Sequence, residues 1–309
     1  MQQTKEQGCL VVGYGSIGAR HAELLKGMGF EVVCVSRRDD IPFPCFDRLE
    51  AALEVSNPSV VVVSSRTAEH LENCWSLARE GYTGLVLVEK PLCAELPDAL
   101  PPPPYRTFIG YNLRFHPVVK RLRELLRGRE VFSAQFSVGQ YLPSWRPGSD
   151  YRKCYSSSMG EGGVLRDLSH ELDLALWLFG PWTNVAAVMG TWGKLEIGVE
   201  DTVDILARFT RCPSVSIHLD YQNLFPHRTI SVQADGMSLW GDLVHGILRT
   251  QGGEEVFSTE RNGTYLAQWQ DLLKDEPDCA CTWGEGVAVM QFIHAAERAA
   301  IQQRWENNL

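Results

Sequence analysis

Three side chains capable of proton transfer lie close together in "GGVLRDLSHELDLALWLFG", residues 162–180. Asp167, His170 and Asp173 are separated by steps of three residues, each of which rotates about 300° around a helix axis. On one continuous helix they would share an arc of about 120°, a polar face beside the apolar face of the leucines. Imidazole and carboxylate groups in this arrangement suit general acid–base chemistry. Glu171 lies off that arc, and we expect it to be solvated or paired.

Each of these residues also has a purely structural interpretation. Asp167 could be an acid interacting with a helix N-terminus, and His170 a hydrogen-bonded core histidine. Asp173 could pair with an arginine or orient His170. A metal site is not predicted, because the stretch has no H-x-x-x-H pattern and no further strong ligand.

A second candidate for proton transfer is Lys90 in "VEKPL", residues 88–92. It follows an apolar strand and precedes a proline that stiffens the turn, so we expect its ammonium group to be partly desolvated. Reduction of a carbonyl builds negative charge on oxygen, and a positioned acid must then deliver a proton. Lys90 is the predicted acid, and the structural alternative is a surface lysine at a strand end.

The segment "GYGSIG", residues 13–18, fits the G-x-G-x-x-G pattern between a strand and a helix. Gly13 permits the tight turn, Gly15 lets the backbone approach a pyrophosphate, and Gly18 allows close contact between helix and strand. The amides of Ser16 and Ile17 open the helix and would receive the anion. This context predicts a dinucleotide site.

The end of the second strand indicates which dinucleotide binds. Ser36, Arg37 and Arg38 occupy the place where NAD sites carry an acid, whereas Asp39 and Asp40 come later in the chain. A hydroxyl and a guanidinium suit a 2′-phosphate, so NADP(H) is favoured and NAD(H) remains possible. The alternative is that both arginines are solvated surface charges.

The surrounding elements fall into two classes. Residues 1–112 alternate uniformly apolar strands with amphipathic helices, which predicts a doubly wound parallel sheet. Residues 113–309 contain five stretches of period-two alternation joined by short turns. They predict an α+β domain with a large, open, mainly antiparallel sheet, covered by one helix over 164–179 and with the last helix packed back on the body.

Composition excludes several classes of function. The net charge of the 309 residues is −9 and no basic run occurs, so a nucleic-acid partner is not expected. No apolar run reaches the ~18–20 residues of a membrane span, and the N-terminus lacks a signal-peptide pattern. Nine scattered cysteines favour reduced thiols and a cytoplasmic location. The exposed face of an open sheet favours a homodimer or homotetramer.

The irregular stretch over 140–163 leads directly into the polar helix. It combines Trp145, Arg146 and Tyr151, which can stack on a sugar ring and hold a carboxylate or phosphate. We expect these residues to contact a small-molecule substrate or another subunit, and the alternative is plain surface cover.

Several of these motifs, in this order, resemble the glucose–fructose oxidoreductase / inositol dehydrogenase / MocA family. "GYGSIGARHAELL" resembles the first βα unit of the family, and "VEKPL" its E-K-P motif. "GYNLRFHP" (110–117) is similar to the segment that crosses into the second domain, and residues 162–180 resemble the signature helix. "SSRTAEH" (64–70) resembles a Thr-Pro-x-x-x-His loop in which His70 matches and the proline is missing.

The resemblance implies a Rossmann domain followed by an α/β domain with a large open sheet. It implies hydride transfer between a nicotinamide and a secondary alcohol or ketone, with Lys90, His170 and Asp167 as catalytic residues. "DLSH" has one residue fewer between Asp and His than the usual D-x-x-x-H. The family's catalytic role is therefore assigned more securely to His170 than to Asp167. The family pattern adds the cofactor contacts Ser65, His70, Glu89 and Lys90, and the substrate contacts Asn112, Arg114 and Asp173.

The resemblance leaves the substrate open among a sugar, a cyclitol and a nucleotide sugar. The 140–163 loop looks like that of members that make bacterial surface sugars. Two other functions stay open: a catalytically silent nucleotide-binding regulator, and a redox-cycling enzyme that retains NAD(P).

Overall fold

The computed structural model describes residues 7–145 and 148–308, which form two compact units. The first unit ends at Tyr111 and also includes Ala280–Val287, and the second contains Asn112–Cys279 and the chain from Ala288. The sequence-based division placed residues 280–287 in the second domain. They belong to the first unit because Cys281 pairs with Ile109 at the edge of its sheet.

The described chain contains eight helices and sixteen strands, with short 3₁₀ turns between them. The helices are α1 (Ser16–Gly27), α2 (Leu49–Ser56), α3 (His70–Arg79), α4 (Pro117–Leu125), α5 (Val164–Asp167), α6 (His170–Phe179), α7 (Gly263–Leu272) and α8 (Trp283–Gln302). The strands are β1 (Gly8–Val12), β2 (Glu31–Val35), β3 (Cys45–Phe46), β4 (Val60–Val63), β5 (Leu85–Val88), β6 (Arg106–Ile109), β7 (Val131–Gly139), β8 (Trp182–Gly190), β9 (Thr202–Phe209), β10 (Cys212–Asp220), β11 (His227–Ala234), β12 (Met237–Asp242), β13 (Ile247–Thr250), β14 (Gly253–Val256), β15 (Cys281–Thr282) and β16 (Glu306–Asn307).

The sheet of the first unit has the order β15-β6-β5-β4-β1-β2-β3. All neighbours pair in parallel except β15 with β6. The valines of β4 and the four residues of β5 are buried, as expected for strands covered on both faces. This confirms the predicted doubly wound sheet, and its strand order reverses between β1 and β4, where such folds bind ligands.

The second unit contains a nine-stranded sheet of order β14-β13-β12-β11-β7-β10-β9-β8-β16. Among the strands of this sheet that the structure describes, only β7 and β10 pair in parallel. The predicted large, mainly antiparallel sheet is therefore confirmed. Strands β12–β14 and β16 were not assigned from sequence, because they are short and their apolar alternation is weak.

Helix α6 packs on the inner face of this sheet. Phe179 lies 6.2 Å from Phe136 of β7 and 6.4 Å from Phe209 of β9, measured between ring centroids. Each such fully buried side chain contributes about 1.5–3 kcal/mol of hydrophobic stabilisation. The burial of this face fixes the helix on the sheet.

The prediction of one continuous helix over 164–179 is wrong. Helix α5 ends at Asp167 and α6 begins at His170, with Leu168 at φ −100° and ψ 26° between them. Buried Ser169 lies at the break, and serine is a residue type that favours helix ends over helix interiors. His170 and Asp173 therefore share α6, but the shared polar arc does not extend to Asp167.

Over residues 7–145 and 148–308, no helix combines the length and hydrophobicity that crossing a bilayer requires.

Candidate active site

The glycine loop follows β1 with the geometry that the dinucleotide motif requires. Gly13 has φ +95°, and a Cβ there would lie 2.5 Å from the backbone of Ser65. A Cβ on Gly18 would lie 2.0 Å from the carbonyl oxygen of Gly13, so both positions exclude any larger residue. A Cβ on Gly15 would have nothing within 4 Å, which leaves open space above the turn.

Helix α1 opens at this space without a side-chain cap. Its N-cap residue is Gly15, which has no side chain to bond the first amides, and no acid lies in the first turn. The amides of Ser16, Ile17 and Gly18 are therefore not competed for by a local carboxylate. A diphosphate fits such a helix start through N–H donors and the helix dipole.

Beyond β2 the chain places a guanidinium next to the glycine loop. Arg38 Nη1 donates to the carbonyl oxygen of Tyr14 at 3.4 Å, and its backbone N–H donates to Ser36 Oγ at 3.2 Å. The Arg38 side chain also binds both carboxylate oxygens of Asp40, at 2.9 and 2.7 Å. Hydrogen bonding from Arg38 lowers the pKa of Asp40. Asp40, expected to come too late in the chain to matter, is thus the partner of Arg38, and Arg37 is exposed.

His70 is buried between two loops at the same edge of the sheet. Its Nδ1 lies 3.1 Å from the carbonyl oxygen of Pro91 and its Nε2 3.3 Å from that of Ser65. Burial lowers the pKa of this imidazole. Only 1% of His70 is exposed, and its contact with a cofactor, implied by the family pattern, stays a prediction. Ser65 Oγ accepts a hydrogen bond from Asn73 Nδ2 at 2.9 Å.

The E-K-P turn follows β5, and the Lys90–Pro91 peptide bond is cis. Lys90 is half-buried. Glu89 is buried, and its Oε1 lies 2.8 Å from Nε2 of His21, a fully buried residue of α1. Glu89 Oε2 accepts the backbone N–H of Lys90 at 3.3 Å.

In the second unit, Arg114 and Asp173 form a buried ion pair. Arg114 Nε lies 3.1 and 3.0 Å from the two carboxylate oxygens, and Nη2 lies 2.6 Å from Oδ1. Each side chain is only 1% exposed. The structure thus pairs Asp173 with an arginine, the structural alternative considered from the sequence, and the contact of both residues with substrate stays a prediction.

Asn112 is a third predicted substrate contact that the structure buries. Its Nδ2 donates to Thr264 Oγ1 of α7 at 2.7 Å, and the residue is 4% exposed. This bond holds the short turn Asn112–Phe115 against α7. Asn112 thus links the turn to α7, and Arg114 links the same turn to α6 through Asp173.

Asp167 is held by a residue far away in sequence. Tyr221, directly after β10, donates its hydroxyl to Asp167 Oδ2 at 2.7 Å. Burial, followed by the charge of Asp167, raises the pKa of Tyr221 well above its ordinary value. The Tyr221 ring meets Trp145 edge-on at 5.3 Å. His170, the first residue of α6, is half-buried.

The loop before α5 forms a shallow pocket. It contains about 220 Å³ of empty space, part of it open to solvent, and is lined by Leu142, Pro143, Trp145, Ser149, Tyr151, Cys154 and Ser156. The Tyr151 hydroxyl accepts the backbone N–H of Glu196 at 3.3 Å. The structure thus brings together Trp145 and Tyr151, whereas Arg146 lies outside the described residues.

Three supporting residues escaped the sequence reasoning. Tyr221 orients Asp167, and Arg228 Nε lies 2.8 Å from Oε1 of buried Glu171. Glu200 Oε1 accepts the N–H of Leu165 at 3.1 Å, so it holds the start of α5. Burial raises the pKa of Glu200. In the sequence, each of them is marked only by being a polar residue near the end of a strand.

Among the residues that the structure describes, no group of three or more His, Cys, Asp or Glu side chains is arranged to hold a metal ion.

Two family models match the chain in succession. Residues 7–100 match "Oxidoreductase family, NAD-binding Rossmann fold", and residues 119–239 match "GFO/IDH/MocA C-terminal domain". The chain belongs to the GFO/IDH/MocA family. It is an oxidoreductase whose first unit is a NAD-binding Rossmann domain, and the resemblance of its motifs is confirmed.

Relatives of this family member are distant in sequence. Levoglucosan dehydrogenase of Pseudarthrobacter phenanthrenivorans is 25% identical over 147 residues, which span 45% of this chain and 38% of that protein. GenD2 from gentamicin A biosynthesis, solved with NAD, has a TM-score of 0.81 at 23% identity over 100% of this chain and 98% of that one. WlbA of Bordetella pertussis, solved with NADH and UDP-GlcNAcA, has a TM-score of 0.78 at 19% identity over 99% of both chains.

The buried ion pair behind α6 can be tested by unfolding. Asp173→Asn removes the carboxylate that neutralises Arg114, and breaking a buried pair costs about 3–5 kcal/mol of unfolding free energy. Urea unfolding followed by circular dichroism measures it. Arg114→Met with Asp173→Leu removes both charges and is expected to be more stable than the single variant. Asp150→Asn at the exposed Arg152 pair is the matched control and is expected to change the midpoint far less. Equal midpoints for Asp173→Asn and Asp150→Asn would contradict this account.

Proposed function

We propose that the chain is an NAD(P)(H)-dependent dehydrogenase or reductase that acts on a secondary alcohol or ketone of a sugar, cyclitol or nucleotide sugar. The observation that carries the proposal is the half-buried Lys90 in the E-K-P turn, at the carboxyl edge of a dinucleotide-type sheet. The carbohydrates bound by structural relatives, levoglucosan and UDP-GlcNAcA among them, support a carbohydrate substrate.

Bound NAD(P) supplies or accepts the hydride in this chemistry. In the reductive direction Lys90 Nζ gives a proton to the carbonyl oxygen as negative charge develops there, and in the oxidative direction it takes the hydroxyl proton. His170 assists by holding or relaying that proton. Asp167, with Oδ2 fixed by Tyr221, offers a carboxylate of defined orientation. Trp145 and Tyr151 of the loop pocket are proposed to contact the sugar ring.

We propose NADP(H) as the preferred cofactor, with NAD(H) as the alternative. A 2′-phosphate would bind the guanidinium group of Arg38, which already lies next to the glycine loop. It would replace Asp40, the present partner of that group. The two side chains are 56% and 72% exposed, and such pairs are weak enough for a doubly charged phosphate to compete. The neighbouring structures hold NAD or NADH, which keeps the alternative open.

Turnover tests the proposed chemistry. Purified protein is offered a panel of sugars, cyclitols and nucleotide sugars with each oxidised and reduced cofactor, followed by nicotinamide absorbance. Lys90→Met is expected to lower kcat at least about 100-fold while cofactor binding persists, because general acid–base catalysis contributes roughly 10²–10⁴-fold. Retained turnover in Lys90→Met would overturn the mechanism. Cofactor binding without turnover of any compound would favour the nucleotide-binding regulator.

Cofactor preference is tested with four variants and fluorescence titration of NADPH and NADH. Asp40→Asn releases Arg38 and is expected to improve the Kd for NADPH about two- to fivefold, with little change for NADH. Arg38→Ala is expected to weaken NADPH binding about tenfold, the loss of one charge-assisted hydrogen bond. Asp39→Asn, one residue away, is the matched control. An NADPH/NADH ratio unaffected by Arg38→Ala and Arg37→Ala would contradict the preference.

We further propose that the protein is a homodimer or homotetramer. Val188 of β8 and Leu206 of β9 are 59% and 47% exposed on the outer face of the second unit's sheet. Apolar residues on an open sheet face favour association with another copy. Sedimentation velocity is expected to show at least a dimer, and Leu206→Lys is expected to shift it towards the monomer. A wild-type monomer would contradict this expectation.

A further inference from the structure

The glutamate of the E-K-P turn is enclosed on three sides within the first unit. Its Oε1 contacts His21 Nε2 at 2.8 Å, and its Oε2 accepts the N–H of Lys90 at 3.3 Å. The third side is the backbone of Gly110, where a Cβ would lie 2.7 Å from Oε1. A carboxylate that is 7% exposed depends on such donors, because an unsatisfied buried charge is costly.

His21 belongs to the helix whose start forms the predicted diphosphate site. It is the sixth residue of α1, about one and a half turns from Ser16, and is fully buried. Gly18 ties the same helix to the glycine loop, since its Cα lies against the carbonyl of Gly13. A shift of α1 on anion binding would therefore move the imidazole that holds Glu89.

Glu89 in turn fixes the backbone that presents Lys90. The N–H of Glu89 donates to Val63 O at 2.8 Å, so its main chain is anchored to β4. Its side chain is the acceptor for the next amide, that of Lys90. Without His21, the carboxylate loses a donor at Oε1 and can turn away from that amide. The path from the diphosphate site to Lys90 thus consists of α1, His21, Glu89 and one backbone amide.

We propose that His21 is a positioning residue that couples dinucleotide binding at the start of α1 to the orientation of Lys90. This inference rests on the proposed function, in which Lys90 transfers the proton. His21 acts through Glu89 and touches neither substrate nor cofactor. The contact uses Nε2, so a side chain that carries an N–H at the same reach can replace it.

That requirement defines a matched set of variants. Glutamine places its amide nitrogen at a position equivalent to histidine Nε2, whereas asparagine places it near Nδ1. His21→Gln is therefore expected to preserve the coupling, and His21→Asn and His21→Leu are expected to remove it. The two amide variants are similar in polarity, so a difference between them reports the contact with Glu89. His21→Asn keeps the test available if His21→Leu does not fold.

The readout needs no substrate. The acylation rate of Lys90 by acetic anhydride is measured by mass spectrometry with and without saturating NADPH, and Lys26 and Lys120 serve as internal references. We expect NADPH to change the Lys90 rate at least about threefold in wild type and His21→Gln, and most of this change to be lost in His21→Asn and His21→Leu, where only direct contact of the cofactor with Lys90 remains. The Kd for NADPH, measured by fluorescence, is expected to stay within about threefold in all four proteins.

Two results would overturn the proposal: a wild-type Lys90 that does not respond to NADPH, or a response that survives undiminished in His21→Leu and His21→Asn. Failure of the proposed function is seen separately, as an absence of turnover on the carbohydrate panel. A wild-type protein that shows the NADPH response but no turnover supports the coupling and contradicts the dehydrogenase assignment.

Discussion

The dinucleotide site of the first unit depends on the direct pairing of β1 with β4. Its register, Cys9 with Val60 through Val12 with Val63, brings the carboxyl ends of both strands to the same level. Gly13 then lies against the backbone of Ser65, and Ser64 Oγ donates to the carbonyl of Gly13 at 2.8 Å. A side chain at Gly13 would separate these loops, so the glycine is required by the sheet as well as by a ligand.

The acids around α6 illustrate a second constraint, the cost of burying charge. Asp173 is paired with Arg114, Glu171 with Arg228, and Asp167 accepts the hydroxyl of Tyr221. Each carboxylate thus has a different partner from another element. Apolar residues of similar volume would often give the same stability as a buried ion pair. A gain in stability therefore does not account for the presence of acids at these buried positions. They hold α5 and α6 in defined orientations on the sheet.

Patterns within a few residues of one another predicted most of the fold. The uniformly apolar strands, the period-two strands and the G-x-G-x-x-G turn are local signals, and each had its counterpart in the structure. The pairs that organise the site are not local. Arg114 and Asp173 are 59 positions apart, Asp167 and Tyr221 are 54, and His21 and Glu89 are 68. No periodicity reports such contacts, and the assignment of Arg114 and Asp173 to substrate came from the family resemblance.

The exposed fraction differs among the residues that the family motifs assign to the site. Asp173, Arg114, Asn112 and His70 are each at most 4% exposed, and each hydrogen-bonds to another group of the chain. Lys90 and His170 are half-buried, so part of each residue stays accessible to solvent. The family motifs contain both kinds of residue, and sequence alone does not tell them apart. The half-buried state of Lys90 and of His170 is compatible with the proton transfer proposed for them, and the buried residues hold the backbone and helices of their own units in place.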